Sequence, residues 1–219
     1  KLVKTPKLKA FLNAEKRNAT VKISDDFTAE FDVKAQYSGE YESEVYWWRF
    51  DNEEDMRRRT KESLSFSDVD LSCYEYAIRK DINMIEEKLK FSVPNITTKM
   101  GNRLIMELNL LNKETYIPKR VSNRKFDIEF QRADIESDTI TYILPLGYQL
   151  ESNIKPLQFS SEFGSYDAKI TCKDNMLTYT RNVRYYEGIF DKSLNQNFID
   201  FFQEIKSADE QKILLVKTN

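Results

Sequence analysis

The clearest pattern in the sequence is the stretch AEFDVKAQY, residues 29–37, in which apolar and polar side chains alternate without a break. Successive side chains of a β-strand point to opposite faces, so this alternation predicts a strand with one face in the core and one in water. Two further alternating runs, residues 168–172 and 177–185, are separated by the turn residues 173–175 (KDN) and predict a β-hairpin over residues 168–185. Similar shorter runs predict further strands at residues 8–12, 19–23, 87–93, 104–110 and 126–131.

The alternation stops between residues 40 and 64, where Glu, Arg, Lys and Met are frequent. These residue types favour helix, and we expect one bent helix or two short ones here. Asp51 or Asn52 is expected to cap the second segment. The arginine run at residues 57–59 could contact phosphate or nucleic acid, but acidic neighbours three or four positions away favour a solvated, neutralised helix face.

A second helix is predicted near the end of the chain, at about residues 194–206. The apolar run that follows it, residues 212–216, predicts a final strand with apolar side chains on both faces, which fits a central position in a sheet. The helix carries an apolar stripe at spacing i, i+3, i+4, i+7, formed by Phe198, Phe201, Phe202 and Ile205.

These elements predict a mainly β protein with antiparallel, β-sandwich-like lobes and two or three helices packed at one side. The alternation lapses near Pro118, which suggests a boundary between two lobes. We expect an N-terminal β-rich lobe over residues 1–120 with the helical insertion at about 40–65. The C-terminal lobe, residues 121–219, would hold the amphipathic helix.

The composition excludes several classes of function. The 219 residues include 34 Lys and Arg against 36 Asp and Glu, which is too even a balance for a strongly basic nucleic-acid-binding protein. No apolar run is long enough to cross a bilayer. The sequence contains no His, which removes His-dependent nucleophilic triads and His-ligated zinc. Without a glycine-rich phosphate motif either, we expect no cofactor and no bound metal.

The cysteines and the aromatic residues leave alternatives open. Cys73 and Cys172 either form one disulfide or remain two buried thiols, and the second alternative is favoured because sequence alone does not fix their geometry. Trp47 and Trp48 are adjacent, so on a helix they point about 100° apart and cannot both face one core. With Tyr41 and Tyr46 they form the best candidate binding cluster, although packing under neighbouring loops is the more frequent role of such residues.

Three groups of motifs carry a resemblance to a known family. The first group is Thr5-Pro6, Asn13 and residues 37–39 (YSG). The second is residues 101–104 (GNRL), Leu108-Asn109, Pro118 and Arg124. The third is residues 144–148 (LPLGY), 163–166 (FGSY), 179–181 (YTR), 188–190 (GIF), Ala208-Asp209 and 212–215 (KILL). In this order they resemble the C-terminal region of transglutaminase-like proteins of Gram-negative bacteria.

In that family an N-terminal β domain precedes a transglutaminase core, and a domain of unknown function closes the chain. The resemblance implies an exported parent, periplasmic or attached to the cell surface, and an upstream transglutaminase-like domain as the main partner. The catalytic residues would lie in that core, so this chain is expected to be no enzyme itself. Because it begins with Lys1, we also expect it to be a piece of a longer protein or a processed product.

Three hypotheses of function follow. The first is a non-catalytic accessory module that packs on the core or presents substrate to it, for example through an exposed edge strand that binds peptide. The second is a carbohydrate- or cell-wall-binding module that uses the aromatic cluster. The third is a structural spacer with no ligand.

Overall fold

The computed structural model describes residues 9–64, 66, 68–121 and 123–218. Thr5, Pro6 and the first residue of the strand predicted at 8–12 lie outside the described residues. β-Strands are the most frequent secondary structure and hold just under half of the described residues. The strands are Ala14–Ile23 (β1), Ala29–Ser38 (β2), Asp70–Arg79 (β3), Met84–Val93 (β4), Thr97–Met100 (β5), Arg103–Glu107 (β6), Ile128–Phe130 (β7), Asp134–Ile143 (β8), Tyr148–Leu150 (β9), Leu157–Ser160 (β10), Gly164–Lys173 (β11), Met176–Tyr185 (β12), Gly188–Phe190 (β13) and Lys212–Lys217 (β14).

The described residues also form three α-helices: Glu40–Val45 (α1), Glu53–Ser63 (α2) and Asn195–Asp209 (α3). Of the two possibilities expected between residues 40 and 64, one bent helix or two short ones, the structure has the second, because a 3-10 turn at Tyr46–Phe50 separates α1 from α2. The predicted C-terminal helix is also confirmed. The strand predicted at 8–12 is wrong where the structure describes it, because Ala10–Leu12 forms a 3-10 turn.

The largest sheet has eight strands in the order β10-β11-β12-β8-β1-β2-β4-β3. Its neighbours are antiparallel except at the centre, where β1 and β8 run parallel. The predicted mainly β class is confirmed, but this sheet is mixed. Its strands come from both sides of residue 120, so β1 and β8 join the two predicted lobes edge to edge. The division into lobes itself stays a prediction.

The second layer lies on one face of this sheet and consists of α3 and a four-stranded sheet with the order β5-β6-β14-β9. The core between the layers is rich in aromatic rings. The ring centroids of Phe198 on α3 and Phe163 lie 5.2 Å apart. Phe202 of α3 stacks on Tyr185 of β12, with 5.8 Å between the ring centroids. Helices α1 and α2 cover the same inner face near β2 and β4, so the prediction that the helices pack at one side is confirmed.

The final strand β14 takes the central position predicted for it, between β6 and β9. The prediction that it is apolar on both faces because both are buried is wrong. Ile213 and Leu215 are buried, whereas Leu214 between them is 38% exposed. The four-stranded sheet is the outer layer of the molecule here, so only one of its faces meets the core.

Phe163 tests the aromatic core. Its side chain is fully buried, and Phe163→Ala is expected to lower the free energy of unfolding by about 3–5 kcal/mol, because it removes ring contacts and leaves a cavity. Urea denaturation followed by circular dichroism measures the loss. The matched control is Phe126→Ala, since Phe126 is 82% exposed and its loss should stay within about 0.5 kcal/mol. Equal losses in the two variants would contradict this packing.

Candidate functional site

The helical insertion formed by α1, the 3-10 turn and α2 is positioned by local sequence signals. Asn52 caps α2, since its side-chain oxygen accepts a hydrogen bond of 2.9 Å from the backbone N–H of Asp55. Three acidic residues occupy the first turn of α2, where they favour the positive end of the helix dipole. Of the two predicted caps, Asn52 is therefore the correct one.

The arginine run of α2 is neutralised by neighbouring carboxylates. Arg57 pairs with Glu53 at 3.1 Å and Arg58 pairs with Asp55 at 2.6 Å. These exposed pairs confirm the interpretation of the run as a solvated helix face. Arg59 differs, because it is half-buried, and its contacts belong to the tryptophan beside it.

The two tryptophans point in different directions, as their adjacent positions predict. Trp48 packs edge-on against Tyr37 with 5.8 Å between ring centroids, and the guanidinium of Arg59 lies 3.8 Å above its ring. Trp47 is 66% exposed and lies 5.8 Å from the ring of Phe50. Trp48 therefore anchors the insertion to the sheet, and Trp47 faces solvent.

Trp47 belongs to a group of surface side chains that we call the aromatic ridge: the half-buried Tyr46 and the exposed Trp47, Arg49 and Phe50. Phe50 is 65% exposed, and Arg49 lies over the rings of both Tyr46 and Phe50, at 3.8 and 4.4 Å from their centroids. Aromatic residues and Arg are enriched in the core and the hot spots of protein–protein interfaces, and the ridge combines both.

A cavity of about 290 Å³, with both apolar and charged side chains in its wall, lies beneath the insertion, between α1, α2 and the inner face of the large sheet. Tyr37 donates a hydrogen bond of 3.0 Å to the Glu87 carboxylate in its wall. Glu15 and Arg17, two residues apart on β1, form an ion pair beside them. Tyr41 of α1 closes another part of the wall. Of the predicted binding cluster, Tyr41 and Trp48 thus line the cavity, whereas Tyr46 and Trp47 lie on the ridge.

The cavity is continuous with a row of charges across the inner face of the sheet. The strand register places Asp138 of β8 opposite Arg17 of β1 on one side and opposite Arg181 of β12 on the other. Arg181 is 1% exposed, and its Nη1 donates to Asp138 Oδ2 at 3.2 Å and to Glu136 at 2.8 Å. The Nη1 of Arg17 lies 3.7 Å from Asp138 Oδ1, beyond hydrogen-bond distance.

A two-point contact in this row joins the sheet to α3. Asp209, at the end of α3, accepts two hydrogen bonds from Arg181, at 2.7 and 2.9 Å. Its carboxylate also accepts from the Tyr166 hydroxyl at 2.9 Å and from the backbone N–H of Glu114 at 2.9 Å. A buried charge pair is tolerated only when its remaining donors and acceptors are satisfied in this way.

The carboxylates of this region outnumber the arginines, and their pKa values respond. Burial raises the pKa of Glu15 to about 7; Arg17 opposes that rise, and the nearby charges of Glu136 and Asp138 add to it. Burial and the charge of Glu136 also raise the pKa of Asp134 to about 7, against the hydrogen bond that Asp134 accepts from Tyr41 at 3.3 Å. Two carboxyl groups near the cavity therefore titrate close to neutral pH.

The cysteines do not contribute to this site. Both are free thiols, with Cys73 half-buried on β3 and Cys172 exposed on β11. The disulfide considered from the sequence is therefore absent, since five strands separate β3 from β11 in the sheet. The alternative of two buried thiols is also wrong, because Cys172 is exposed. Among the described residues, no three acidic or Cys side chains group in a way that would hold a metal ion.

Sequence reasoning missed the charged row, although a signal was present. Glu15 and Arg17 fall in the same alternating phase as Ala19, Val21 and Ile23, which are buried on β1. Charged residues in the core phase of a strand indicate a buried ionic network, because charges are almost never buried without partners.

The family profile for DUF3858, a domain of unknown function with a solved structure, matches residues 102–215. The chain belongs to the DUF3858 family. The matched segment holds Asp138, Arg181 and Asp209, whereas the aromatic ridge and the β1 residues of the cavity lie outside it. No curated protein matches the sequence.

A crystal structure of a candidate protease from Parabacteroides distasonis ATCC 8503 is similar to part of this DUF3858 chain, with 18% sequence identity and a TM-score of 0.42. The similarity covers 51% of this chain and 23% of that protein, so the chain spans less than a quarter of the protein's length. Within the described residues, no helix combines the length and apolar character that a membrane crossing requires.

Asp209 tests the buried row. Asp209→Asn is expected to lower the free energy of unfolding by about 3–5 kcal/mol, because Arg181 keeps its charge and loses its two-point partner. Urea denaturation measures this loss. The matched control is Glu151→Gln, which breaks the two-point pair between Glu151 and Arg103 on the exposed surface and should cost far less. If both variants lose the same stability, the buried row does not stabilise the fold as described.

Glu15 tests the electrostatics of the cavity. Its pKa is higher in the folded protein than the ordinary value of 4.5, so the folded state binds more protons between pH 4.5 and 7. The contribution of Glu15 to stability is therefore full below pH 4.5 and falls by up to about 3 kcal/mol as pH rises to 7. In Glu15→Gln this fall should be absent, and the variant should be the more stable protein at pH 8.

Denaturation with urea at pH 4.5 and pH 8 measures both effects. Glu75→Gln is the control, because the exposed carboxylate of Glu75 has its pKa lowered by Lys88 and does not cause a fall in this window. A parent protein and a Glu15→Gln variant with the same pH dependence would contradict the assignment.

Proposed function

We propose that this chain is a non-catalytic interaction module of an exported transglutaminase-like protein. In this proposal the module packs on the catalytic domain that the resemblance implies upstream, and the aromatic ridge is the surface of contact. The observation that carries the proposal is the exposure of Trp47 and Phe50 side by side on a firmly anchored insertion.

The ridge has the physical properties of an interface hot spot. Burying two large aromatic side chains removes apolar surface from water, and each contributes about 1.5–3 kcal/mol when fully buried. The ridge is also held in place before binding, because Trp48 and Arg59 fix the turn from below. Little conformational freedom is then lost on association, which favours affinity.

The absence of His supports a non-catalytic role. A thiol nucleophile normally needs a neighbouring base, and the sequence offers no imidazole for either Cys73 or Cys172. We therefore place the chemistry of the parent protein in its other domain. The resemblance also supports an exported location, in the periplasm or at the cell surface.

A carbohydrate- or cell-wall-binding module is the second candidate function. The exposed indole of Trp47 favours it, because sugar rings stack on exposed aromatic faces. In this case the ligand would be a glycan, and the core domain would not be needed for binding.

Trp47 separates these functions. Calorimetric titration of the chain into the separately expressed transglutaminase-like core should give binding that Trp47→Ala weakens at least about 25-fold, the loss expected for a hot-spot tryptophan of about 2 kcal/mol. Phe126→Ala is the control, because Phe126 is 82% exposed and lies outside the ridge. Core turnover is followed in the same titration.

Unchanged affinity in Trp47→Ala would contradict the ridge as the contact surface. Tryptophan fluorescence during titration with cell-wall glycan fragments then tests the second function. A shift that Trp47→Ala abolishes, with no binding to the core, would replace the first proposal by the glycan module. If the chain binds neither the core nor the glycan fragments, the third hypothesis, a structural spacer, is the one that remains.

A further inference from the structure

The long free edge of the large sheet is β3, at Asp70–Arg79. It pairs with β4 on one side, and within the described ranges no strand pairs with its other side. The other terminal strands of the two larger sheets, β10, β5 and β9, have only three or four residues each. The ten-residue edge of β3 is therefore much longer than the other sheet edges. Proteins generally keep exposed edges short, because a long one can pair with another chain.

The first part of this edge is protected. The register shifts between Leu71 and Cys73, which marks a β-bulge, and the Arg57 guanidinium donates a hydrogen bond of 2.8 Å to the Leu71 carbonyl. Both devices hinder the pairing of a further strand at that end. The stretch from Tyr74 to Ile78 has neither of them, so its outer backbone groups remain available, whereas the Arg79 carbonyl already accepts a hydrogen bond of 3.2 Å from the Ile82 backbone N–H.

A groove of about 470 Å³ runs beside this available stretch. Its β3 wall consists of Tyr74, Tyr76 and Ile78, which alternate along the strand and face the helical insertion. The opposite wall comes from the insertion and consists of Trp48, Arg49, Asp51 and Met56. The groove lies where the core-facing side chains of one more strand would pack.

The walls of this groove are held rigidly. The Tyr76 hydroxyl donates to the Val45 carbonyl at 3.1 Å, which ties β3 to the end of α1. Arg59 donates to the Tyr74 hydroxyl at 3.0 Å and to the Asp51 carboxylate at 2.9 Å. Because these polar groups are already paired, a side chain entering the groove meets mainly ring faces and methylene groups.

The other face of β3 is less selective. Glu75 there pairs with Lys88 of β4 at 2.7 Å, and Ala77 on the same face is exposed and small. Side chains of an added strand on that face would remain in water. Selection would therefore act on alternate residues of the partner, those that point into the groove.

We propose that β3 binds an extended peptide as a ninth strand, with apolar side chains at alternate positions inserted in the groove. An unpaired strand backbone offers hydrogen bonds with a two-residue period, about 6.6–6.8 Å, which an extended peptide matches and a helix or a glycan does not. Trp47 and Phe50 do not line this groove, although Arg49 of the aromatic ridge does. Trp47→Ala and Met56→Glu therefore distinguish the two proposals, because each changes only one of the two surfaces.

The test uses the chain itself and a displayed library of random ten-residue peptides. We expect selected peptides to carry apolar residues at every second position. A synthetic copy of one such peptide should slow amide hydrogen exchange at alternate residues between Tyr74 and Arg79. Met56→Glu, which places a charge in the groove wall, should weaken its binding at least tenfold. Ala77→Glu, on the opposite face of β3, is the control and should change the affinity less than threefold.

Three results would overturn the proposal. The first is the recovery of no binding peptide from a library that yields binders to a control PDZ domain. The second is exchange protection on the aromatic ridge or on another strand in place of β3. The third is light scattering that shows a dimer of the chain whose β3 amides are already protected, because the occupant of the edge would then be a second copy. Thermal unfolding of Met56→Glu and Ala77→Glu establishes that both variants are folded.

Discussion

The parallel pairing of β1 with β8 is the constraint on which the rest of the structure depends. These strands lie more than a hundred residues apart in sequence, and their ladder runs from Ala14 opposite Ile135 to Lys22 opposite Ile143. It joins two antiparallel groups of strands into one sheet. It also places Arg17 opposite Asp138, so the charged row extends from β12 and β8 to β1 only because this pair forms in this register.

The charged row makes the neighbouring register, that of β12 with β8, specific. Because strand side chains alternate, a slip of one residue between β12 and β8 would turn Arg181 to the outer face and leave the buried carboxylate of Asp209 without its partner. An apolar pair at the same positions would tolerate other alignments more easily. The row therefore costs desolvation energy and in return penalises the competing pairings of long, regular strands.

Local patterns predicted much of this fold, and long-range pairings were outside their reach. Alternation located β2 and the β11–β12 hairpin, and the stripe beginning at Phe198 located α3. The periodicity of a strand does not show which strand pairs with it, so the parallel pairing of β1 with β8 was not predicted. The one-sided burial of β14 arises because its sheet is the outer layer at Leu214, and the sequence of the strand does not encode that position. For the site, the adjacent positions of Trp47 and Trp48 predicted that their side chains point in different directions. The sequence did not predict that Tyr41 and Glu15 line the same cavity.

The limits of the DUF3858 match sharpen this point. Residues 102–215 contain Asp138, Arg181 and Asp209, but Arg17 lies outside them on β1. Taken alone, that segment would expose one side of β8 as a ten-residue edge and leave Asp138 with only one of its two arginine neighbours. Strand β1 closes this edge, and the helical insertion lies over the neighbouring strands β2 and β4. The ridge and the groove are therefore built on the part of the sheet that the family segment lacks, while the charged row binds both parts together.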